Sequence, residues 1–406
     1  MNKLYIIGFG PGEENQVTEC AEQALSVSER LLCLKRSAGF GDDLRRWNLP
    51  ELLEELKANT APATTALLVS GDCGFYSIAK TVVRDYSQLY DIELIPGISS
   101  IQYFSARLKV AYDDAKIVSL HGRSGNIVAQ VAYQKKLFAL TGGQNSVRHI
   151  CQELFKHGLG NVLVSVGERL SYAQERITKG SAAELSAHDF DELSVVYIEN
   201  PKAKDPYLPL KDSDFLRNDV PMTKEEVRWV SLAKLGVCPG DTVYDIGAGT
   251  GSVSVELARA ASEGCVYAIE SKAEACALAQ ANLKRHGAFN LRVIKGLAPE
   301  ALADLPAPDK AFIGGSSGRF DQIVETVLEK NPAARIVANA ITLQTLHEAM
   351  ECFAKNCMTE IEAVCLNVAR SKKAGGYDMM VAQNPVYIIS ALGCGADFPP
   401  PPDDEA

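Results

Sequence analysis

Thr242-Val-Tyr-Asp-Ile-Gly-Ala-Gly-Thr-Gly-Ser-Val-Ser254 is the stretch that decides the fold of the second half of the chain. An apolar, β-branched run ends at Asp245, and three glycines occupy alternate positions over Gly247–Gly251. A pattern with the spacing of an amphipathic helix begins near Ser252. Glycines remove the Cβ atoms from one side of such a turn, which lets a ligand approach the backbone closely. The stretch therefore predicts a strand, a tight turn open to a ligand, and a helix.

The spacing of these glycines indicates which ligand the turn serves. A dinucleotide-binding fingerprint places its third glycine three positions after the second and holds a pyrophosphate at the helix N-terminus. Here the glycines are two positions apart throughout, and Asp245 stands ahead of the first one. This variant suits a ligand with an amino-acid end and no phosphate, so S-adenosylmethionine is the expected cofactor. The alternative is an ordinary tight turn between a strand and a helix.

Three further predicted strand ends carry residues that suit the same cofactor. Glu270 ends the next strand, 25 positions after Asp245, where an acid can accept hydrogen bonds from both hydroxyls of a ribose. Leu297 and Ala298 follow the third strand and would line a slot for an adenine ring. Gly314-Gly-Ser-Ser317 ends the fourth strand and leaves room for a bulky, flat substrate beside the transferable methyl. The alternatives are a solvated acid at Glu270 and plain loops at the other two strand ends.

The composition is that of a soluble globular protein. At 406 residues, with 47% hydrophobic and 23% charged residues, the chain can form two or three domains with their own cores. The formal charge of −10 argues against nucleic acids and membrane surfaces as partners, because neither polyanion attracts an acidic chain. A polycarboxylate ligand would need a local basic patch, so the net charge neither supports nor excludes a substrate of that kind.

The cysteines and the apolar segments predict a location in the cytoplasm. Eleven cysteines form no CxxC pair and no cluster with histidine, so we expect reduced thiols and no metal site. The sequence enters a predicted strand at Leu4–Ile7 without a basic region and a long apolar segment before it. No window reaches the ~18 apolar residues that a membrane span requires.

Two α/β blocks are separated by a stretch that contains three prolines, residues 200–214. We expect a first domain at 1–201, a linker at 202–220, a second domain at 221–395 and a disordered tail at 396–406. Strands that end in Gly-, Asp- or Ser-rich loops alternate with helices, which predicts mostly parallel α/β sheets with ligands at the carboxyl ends. In the second block, five such units and a terminal β pair predict a doubly wound sheet with an antiparallel edge.

Several local features can be predicted as well. Thr18–Cys33 has helical spacing throughout. Thr223 followed by Glu226 predicts a capping box at the start of a helix. Two β-rich runs, Ala363–Arg370 and Val386–Ala391, close the second block.

The first block has three short motifs, each at a predicted strand end. They are Gly8-Phe-Gly-Pro-Gly12, Ser70-Gly-Asp72 and Pro96-Gly-Ile-Ser-Ser100. Each motif alone is weak, but their order resembles the tetrapyrrole methylase family. Four further motifs resemble the C5-methylating branch of that family in the corrin pathway: Ser119-Leu-His-Gly-Arg123, Leu140-Thr-Gly-Gly143, Val166-Gly-Glu-Arg169 and Tyr197-Ile-Glu-Asn-Pro201.

The second block resembles the class I methyltransferases of the same pathway, which methylate C15 and remove the C12 acetate carboxyl. The chain departs from their pattern at Asn331-Pro-Ala-Ala-Arg335, where a glycine pair is usual, and this affects only the shape of a turn. Together the two resemblances cover about Leu4 to Leu392. The matching motifs are Pro221-Met-Thr-Lys224, Asp245-Ile-Gly-Ala-Gly-Thr-Gly-Ser252, Phe312-Ile-Gly-Gly315, Val337-Ala-Asn339 and Asn384-Pro-Val-Tyr-Ile-Ile389.

The resemblance implies an α/β protein that joins a tetrapyrrole-methylase fold of two α/β subdomains to a Rossmann-like class I methyltransferase. It implies two S-adenosylmethionine sites and a homo-oligomer. The implied activity is methylation of precorrin-6B, or its cobalt form, at C15 and C5, with decarboxylation of the C12 acetate to give precorrin-8 in cobalamin biosynthesis.

The resemblance also implies which residues form the sites. In the first domain the expected cofactor contacts are Pro11, Gly71, Asp72, Phe75, Ser99, Ser100, Leu140 and Gly167. In the second domain they are Thr223, Asp245, Gly247, Ala248, Gly249, Thr250, Gly251, Glu270, Leu297 and Ala298. No catalytic acid can be named. The candidate substrate contacts are His121, Arg123, Asn339, Arg370 and Tyr377, each with surface or capping duty as its alternative.

Two other functions compete with a two-site methyltransferase. The first is an NAD-linked oxidoreductase that uses the turn after Asp245, against which the glycine spacing argues. The second is a tetrapyrrole carrier without catalytic activity, for which two separate glycine-loop constellations are unexpected.

Overall fold

The computed structural model describes residues 2–12, 16–34, 46–58, 63–120 and 126–395. The backbone contacts divide the chain into two compact units. The first consists of Met1–Ser124 and Lys135–Pro201, and the second consists of Gly125–Gln134 and Lys202–Ala406. The tail expected at 396–406 lies outside the described residues.

The first sheet of the first unit has five strands in the order β3-β2-β4-β1-β5, and all its pairings are parallel. β4, with the sequence Thr-Ala-Leu-Leu-Val, is buried along its whole length, as parallel strands covered on both faces are. β4, β1 and β5 are neighbours, so the three loops that follow them meet at one edge. The elements are β1 (Asn2–Gly8), α1 (Glu19–Val27), β2 (Arg30–Leu34), β3 (Arg46–Trp47), α2 (Leu49–Ala58), β4 (Thr65–Val69), α3 (Ala79–Tyr86), β5 (Tyr90–Ile95) and α4 (Ser100–Leu108).

The helix expected over Thr18–Cys33 is wrong in its second half. α1 ends at Val27, and the chain turns into β2. At this point Ser28 is extended, and its hydroxyl donates to the Ala24 carbonyl at 2.7 Å. The Leu-Leu-Cys-Leu run that follows pairs with β4. A short apolar run of this kind fits a buried helix or a buried strand equally well, so periodicity alone could not assign it.

The second sheet of the first unit has the order β6-β7-β10-β8-β9. Only β6 and β7 are parallel, and the other three pairings are antiparallel. The expectation of mostly parallel sheets is therefore wrong for this sheet, because β8 and β9 form a direct antiparallel pair and β10 returns between β7 and β8. The elements are β6 (Lys116–Ser119), α5 (Ile127–Tyr133), β7 (Lys136–Leu140), α6 (Val147–Lys156), β8 (Leu163–Glu168), β9 (Arg176–Ser181), α7 (Ala182–Leu185) and β10 (Ser194–Glu199).

The second unit contains the doubly wound sheet that the sequence predicts. The order is β13-β12-β11-β14-β15-β19-β16, with five parallel strands and an antiparallel edge formed by β19 and β16. Its elements are α8 (Glu225–Leu235), β11 (Thr242–Ile246), α9 (Ser252–Ala260), β12 (Cys265–Glu270), α10 (Ala273–His286), β13 (Leu291–Lys295), β14 (Lys310–Ile313), α11 (Phe320–Lys330), β15 (Arg335–Ala340), α12 (Leu343–Lys355), β16 (Thr359–Leu366), β17 (Ala369–Ala374), β18 (Tyr377–Ala382) and β19 (Val386–Leu392).

Two local predictions in this unit are wrong. The β-rich run Ala363–Arg370 belongs to two strands, because β16 ends at Leu366 and β17 pairs with β18 in a separate hairpin. The capping box of Thr223 and Glu226 does not form, since α8 starts after Lys224 and has no side-chain cap. Glu226 instead binds the guanidinium of Arg370, with a shortest distance of 2.5 Å, so an ion pair to the hairpin takes the place of the cap.

The stretch expected to be a linker packs on the second unit. Arg259, which is buried, donates to the carbonyls of Asp205 and Leu208 at 2.5 and 2.6 Å. The amide of Asn282, fully buried, bonds the backbone of Leu216 through both its oxygen and its nitrogen, at 2.7 and 2.9 Å. The prolines therefore interrupt the periodicity of this stretch without releasing it from the core.

Helix α5 also packs on the second unit, although it lies between two strands of the first. Six of its seven residues are buried. Asn126 caps the helix and donates from its Nδ2 to the Phe289 carbonyl at 2.8 Å, and the Lys204 N–H bonds the Ala132 carbonyl at 2.8 Å. The first unit is thus interrupted at this helix, whereas a continuous domain over residues 1–201 was expected.

Among the described residues, no helix is both long and apolar enough to cross a membrane. Within the same residues, no group of His, Cys, Asp and Glu has the arrangement of a metal site.

Candidate cofactor sites

The turn between β11 and α9 approaches two other loops at backbone distance. Gly247 has a φ of +78°, and a Cβ on it would lie 2.8 Å from the backbone N and O of Gly315. Gly249 has a φ of +55°, and its Cβ would lie 3.1 Å from the Pro221 carbonyl. Both positions therefore need glycine, for a left-handed backbone and for space. The alternating glycines bring the loops after β11 and β14 and the segment before α8 together.

Glu270 holds this turn from the neighbouring strand. Its Oε2 accepts a hydrogen bond from the Gly249 N–H at 2.9 Å, and its Oε1 accepts one from the Lys272 N–H at 2.9 Å. β11 and β12 are adjacent and parallel, so the carboxylate lies at the carboxyl edge of the sheet beside the glycines. The structure thus brings together the acid and the glycine turn, which the sequence assigned to a ribose and to an amino-acid end.

A cavity of about 750 Å³ opens at this carboxyl edge. All four residues of Gly314–Ser317, in the loop after β14, line this cavity. Nine of the residues expected to contact cofactor or substrate line the cavity, namely Thr223, Gly247, Ala248, Gly249, Thr250, Glu270, Leu297, Ala298 and Asn339.

Two expected cofactor residues do not line the cavity. Gly251 has a φ of +74°, and a Cβ on it would lie 2.8 Å from the Ala279 Cβ, so it allows α9 to pack on α10. Asp245 is 1% exposed and accepts a hydrogen bond from the Ser254 hydroxyl. Its Oδ1 is buried and has no hydrogen-bond partner within the described part of the chain. Burial raises the pKa of Asp245 to about 7, with the Ser254 hydrogen bond opposing the shift and Glu270 adding to it.

The candidate substrate contacts of the second unit fall in different places. Asn339 is the penultimate residue of β15 and lines the cavity, with its Oδ1 3.0 Å from the Ser231 hydroxyl. Its Nδ2 is buried and has no hydrogen-bond partner among the residues that the structure describes. Arg370 is bound by the carboxylates of Glu225, Glu226 and Asp212 outside the cavity lining. Tyr377 is at the tip of the β17–β18 hairpin and 80% exposed. Of these three, only Asn339 is among the residues that line the cavity.

In the first unit, three glycines bring the predicted loops into backbone contact. A Cβ on Gly97 would lie 2.2 Å from the Gly8 carbonyl oxygen and 2.5 Å from that of Gly71. The N–H of Gly10 bonds the Gly71 carbonyl at 3.2 Å, and the N–H of Gly71 bonds the Gly10 carbonyl at 2.7 Å. Pro11 follows directly in the same loop. The loops after β1, β4 and β5 therefore form one assembly, as their order along the chain predicts.

Asp72 fixes this assembly through both of its carboxylate oxygens. Oδ1 accepts from the Gly74 N–H at 2.8 Å, and Oδ2 accepts from the Gly97 N–H at 3.1 Å. One side chain thus ties the loop after β4 to the loop after β5. Its observed contacts are with the backbone, so in this structure Asp72 shapes the loops.

The remaining residues expected in the first site lie around this assembly. Ser99 caps α4 in a capping box with Gln102, and Ser100 is the first residue of that helix. Phe75 is partly buried against the cluster that contains Phe104 and Phe138.

Leu140 and Gly167 belong to the second sheet of this unit. Both are opposite Val195, on the two strands that flank β10. A Cβ on Gly167 would lie 2.8 Å from the ring of Phe104, so glycine lets this sheet approach α4. His121 and Arg123 lie outside the described residues.

Several residues at the sites were not predicted from the sequence. A Cβ on Gly12 would lie 2.3 Å from the Tyr172 ring, so this tyrosine covers the glycine-proline loop. Val368, Gln383 and Asn384 line the cavity of the second unit from the base of the β17–β18 hairpin. A lone tyrosine in a loop gives no signal, whereas recognising the hairpin would have brought the residues at its base to one place.

Comparisons with known proteins agree with this two-part organisation. Residues 3–186 match the tetrapyrrole (corrin/porphyrin) methylase family model, and residues 214–392 match a precorrin methyltransferase domain. A precorrin-6Y C(5,15)-methyltransferase (decarboxylating) from Sinorhizobium sp. is 34% identical over 282 residues, which is 68% of each chain. A probable cobalt-precorrin-6B C(15)-methyltransferase (decarboxylating) from Pyrobaculum calidifontis is 41% identical over 42% of this chain and 89% of its own.

Among solved structures, a precorrin-6Y C5,15-methyltransferase from Geobacter metallireducens GS-15 is 38% identical. The match covers 46% of this chain and 97% of that one, with a TM-score of 0.44. Each half of the sequence thus matches one family model, and the Sinorhizobium relative aligns over 68% of this chain. The chain therefore belongs to the family of decarboxylating precorrin-6Y C(5,15)-methyltransferases.

Proposed function

We propose that this protein is a bifunctional S-adenosylmethionine-dependent methyltransferase that acts on precorrin-6B or its cobalt form. It methylates C15 and C5 and decarboxylates the C12 acetate, giving precorrin-8 in cobalamin biosynthesis. The observation that carries the proposal is the cavity of the second unit, which Gly247–Thr250, Glu270 and Ala298 line together.

The residues of this cavity fit S-adenosylmethionine. Glu270 supplies a carboxylate for the ribose hydroxyls, and Leu297 and Ala298 supply an apolar slot for the adenine. The hydroxyl of Thr250, a cavity residue, is buried without a hydrogen-bond partner among the described residues. An unsatisfied buried polar atom at a cavity supports the presence of a polar ligand there.

Methyl transfer to C15 requires positioning more than a strong base. The bound cofactor supplies an electrophilic methyl on a sulfonium. The tetrapyrrole carbon that receives it is already electron-rich, so the chain has to hold that carbon ~3–3.5 Å from the methyl and in line with it. Gly314 and Gly315 leave space for the flat macrocycle, and the cavity walls exclude water, which strengthens the interactions of both charged ligands.

Decarboxylation breaks the bond between the acetate CH₂ and its carboxyl carbon. The electron pair passes into the conjugated C=N system of the substrate, CO₂ leaves, and a proton is returned to the carbon. The task of the chain is to turn the carboxylate out of the plane of the ring. Asn339 is the best-placed candidate for this, because it lines the cavity and its Nδ2 donor has no partner among the described residues.

We assign C5 methylation, with a second S-adenosylmethionine site, to the first unit. The support is the assembly of loops around Gly8, Gly71 and Gly97, which lies at the carboxyl edge of a parallel sheet. Pro11, Asp72, Phe75, Ser99, Ser100, Leu140 and Gly167 are the proposed neighbours of the cofactor. We predict that His121 and Arg123 bind carboxylate groups of the substrate at this site.

We also propose that the protein is a cytoplasmic homo-oligomer with neither nucleic acid nor membrane as a partner. Apolar side chains of the β17–β18 hairpin support assembly, since Tyr377, Met379, Met380 and Val381 are 49–80% exposed. Ten of the eleven cysteines have free thiols in the described part of the chain, which supports a reducing compartment. Sedimentation of the protein and of Met380→Asp tests the assembly, and an unchanged mass would contradict a role of the hairpin in it.

The experiment that tests the function is isothermal titration of the full chain with S-adenosylhomocysteine and with NADH. We expect S-adenosylhomocysteine to bind at two sites per chain and NADH to bind at none. Tight NADH binding would favour the oxidoreductase. A tetrapyrrole carrier would release no labelled CO₂ from precorrin-6B and consume no S-adenosylmethionine.

A further inference from the structure

A buried guanidinium fixes one wall of the cavity in the second unit. Arg228 of α8 is fully buried. Its Nε donates to Glu256 Oε1 at 2.5 Å, its Nη1 to the Thr223 carbonyl at 2.7 Å, and its Nη2 to the Leu210 carbonyl at 2.7 Å. Thr223 belongs to the segment Val220–Lys224, which lines the cavity next to the glycine turn. The guanidinium therefore holds that wall by its backbone.

A second arginine, Arg370, is linked to Arg228 through the carboxylate of Asp212. Asp212 lies 3.3 Å from Arg228 Nη1 through its Oδ1 and 3.4 Å from Arg370 Nη1 through its Oδ2. The Asp212 N–H also donates to Glu225 Oε2 at 2.6 Å. Arg370 completes the network with a two-pronged contact to Glu226, at 2.9 and 2.5 Å, and this contact lowers the pKa of that carboxyl.

Arg370 fixes a different wall of the cavity. It is the second residue of β17, two positions after Val368, and it pairs with Val381 across the hairpin. At the hairpin base, the Gln383 N–H donates to the Val368 carbonyl at 2.8 Å, and both residues line the cavity. The position of Arg370 therefore sets the position of the hairpin base.

We propose that Asp212 is a positioning residue that links the two walls of this cavity, through Arg228 on one side and Arg370 on the other. The inference rests on the proposed function and deepens it, because it names what holds the cofactor-side wall and the hairpin wall at a fixed separation. Neither Asp212 nor the two arginines lines the cavity, so they act through Thr223 and Val368.

The charges of the network favour this role over a contribution to stability alone. Burying Arg228 costs desolvation energy that a single partner does not recover, and a buried ion pair often adds little net stability. Here the guanidinium is satisfied by two carboxylates and two carbonyls, and it lies 4.8 Å from the centre of the Phe215 ring. Four hydrogen bonds from one buried guanidinium favour one geometry of the surrounding backbone.

The test compares Asp212→Asn and Arg370→Gln with the matched control Lys234→Gln in the full chain. Lys234 lies on α8, the helix that also carries Arg228. It pairs with Glu362 at 2.6 Å, and neither residue lines the cavity. In the ligand-free protein, we expect faster hydrogen exchange of the segments 210–224 and 366–386 in both variants. The dissociation constant for S-adenosylhomocysteine at the site of the second unit should rise about fivefold to tenfold in both variants. This is the loss expected when one charge-assisted contact is weakened.

Lys234→Gln should leave both measurements at the values of the parent protein. Unchanged exchange and affinity in Arg370→Gln, whose side chain is 37% exposed, would overturn the inference. An equal loss in Lys234→Gln would overturn it as well. A parent protein that does not bind S-adenosylhomocysteine would instead contradict the proposed function, and the exchange measurement would still decide the role of Asp212.

Discussion

Glu270 Oε2 accepts a hydrogen bond from the backbone N–H of Gly249 at 2.9 Å, so the acid expected to bind a ribose also holds the turn expected to bind the amino-acid end of the cofactor. Its Oε1 accepts a hydrogen bond from the Lys272 N–H at 2.9 Å, so the carboxylate would reach a ribose through its remaining lone pairs at the edge of the cavity. The two parts of the proposed cofactor site are therefore mechanically connected before any ligand arrives.

Glu270→Gln should weaken S-adenosylhomocysteine binding to the second unit by about 10- to 100-fold, the loss expected when hydrogen bonds to a charged acceptor become neutral ones. Titration calorimetry measures the effect. Glu274→Gln, on the exposed first turn of α10, is the control and should bind as the parent does. Equal affinity in Glu270→Gln and the parent would remove Glu270 from the site.

Gly249→Val should abolish C15 methylation and decarboxylation and leave C5 methylation measurable on a substrate already methylated at C15. A valine at this left-handed position would strain the backbone, and its Cβ would lie 3.1 Å from the Pro221 carbonyl. The control is Gly240→Val, since a Cβ on Gly240 meets no atom within 4 Å. Loss of both methylations in a folded Gly249→Val protein would contradict independent sites.

Asp72→Ala should stall the reaction after the first methylation. The change removes the acceptors of the Gly74 and Gly97 N–H groups, so the loops after β4 and β5 lose their common anchor. Mass spectrometry of the product distinguishes one added methyl from two. Asp85→Ala, at an exposed ion pair on α3, is the control. A doubly methylated product from Asp72→Ala at the parent rate would refute the assignment of this loop assembly to C5 methylation.

The buried Asp245 makes a prediction about pH. Burial raises its pKa from 3.8 to about 7 in the folded protein, so the folded state binds this proton more tightly than the unfolded chain does. Protonated Asp245 therefore contributes to the free energy of unfolding. This contribution is complete below pH 3.8 and is lost as the pH rises to about 7. Between about pH 5 and about pH 8, the free energy of unfolding should fall less in Asp245→Asn than in the parent protein. The difference between the two decreases should be on the order of 2 kcal/mol.

Urea unfolding of the parent and of Asp245→Asn at both pH values checks this difference. Identical pH dependence in the two proteins would mean that Asp245 is ionised in the folded state, with a ligand or water at the Oδ1 that has no partner here.

Val128→Asp should destabilise the second unit and spare the first, because this side chain is buried and helix α5 groups with the second unit. A charge placed there without a partner costs several kcal/mol. Hydrogen exchange resolved by peptide should show lost protection in α9 and α10 and unchanged protection in β1 and β4. Gln134→Asp, at the end of the helix, is the control. Lost protection in β1 and β4 alone would assign α5 to the first unit.

Much of the fold could be predicted because its signals are local. The strand before Asp245, the turn through Gly251 and the helix from Ser252 lie where the sequence places them, since glycine spacing and apolar runs act over a few residues. The same holds for the three loops of the first unit, whose glycines match close backbone contacts.

What could not be predicted depends on contacts between distant residues. Nothing near Arg370 indicates that Glu226 and Asp212 bind it, and this pairing replaces the expected capping box. Likewise, the buried face of α5 matches its partners only once Phe289 and Lys204 are placed. The Leu-Leu-Cys-Leu run of β2 was misassigned because its strand character comes from pairing with β4.

We propose that a single chain carries two methyl-transfer sites and performs one decarboxylation. Mass spectrometry of the product tests this most directly. The product is formed from precorrin-6B and isotopically labelled S-adenosylmethionine, with and without cobalt in the substrate. We expect a product that has gained two labelled methyl groups and lost one carboxyl. A product with one labelled methyl, or with its C12 acetate intact, would contradict it.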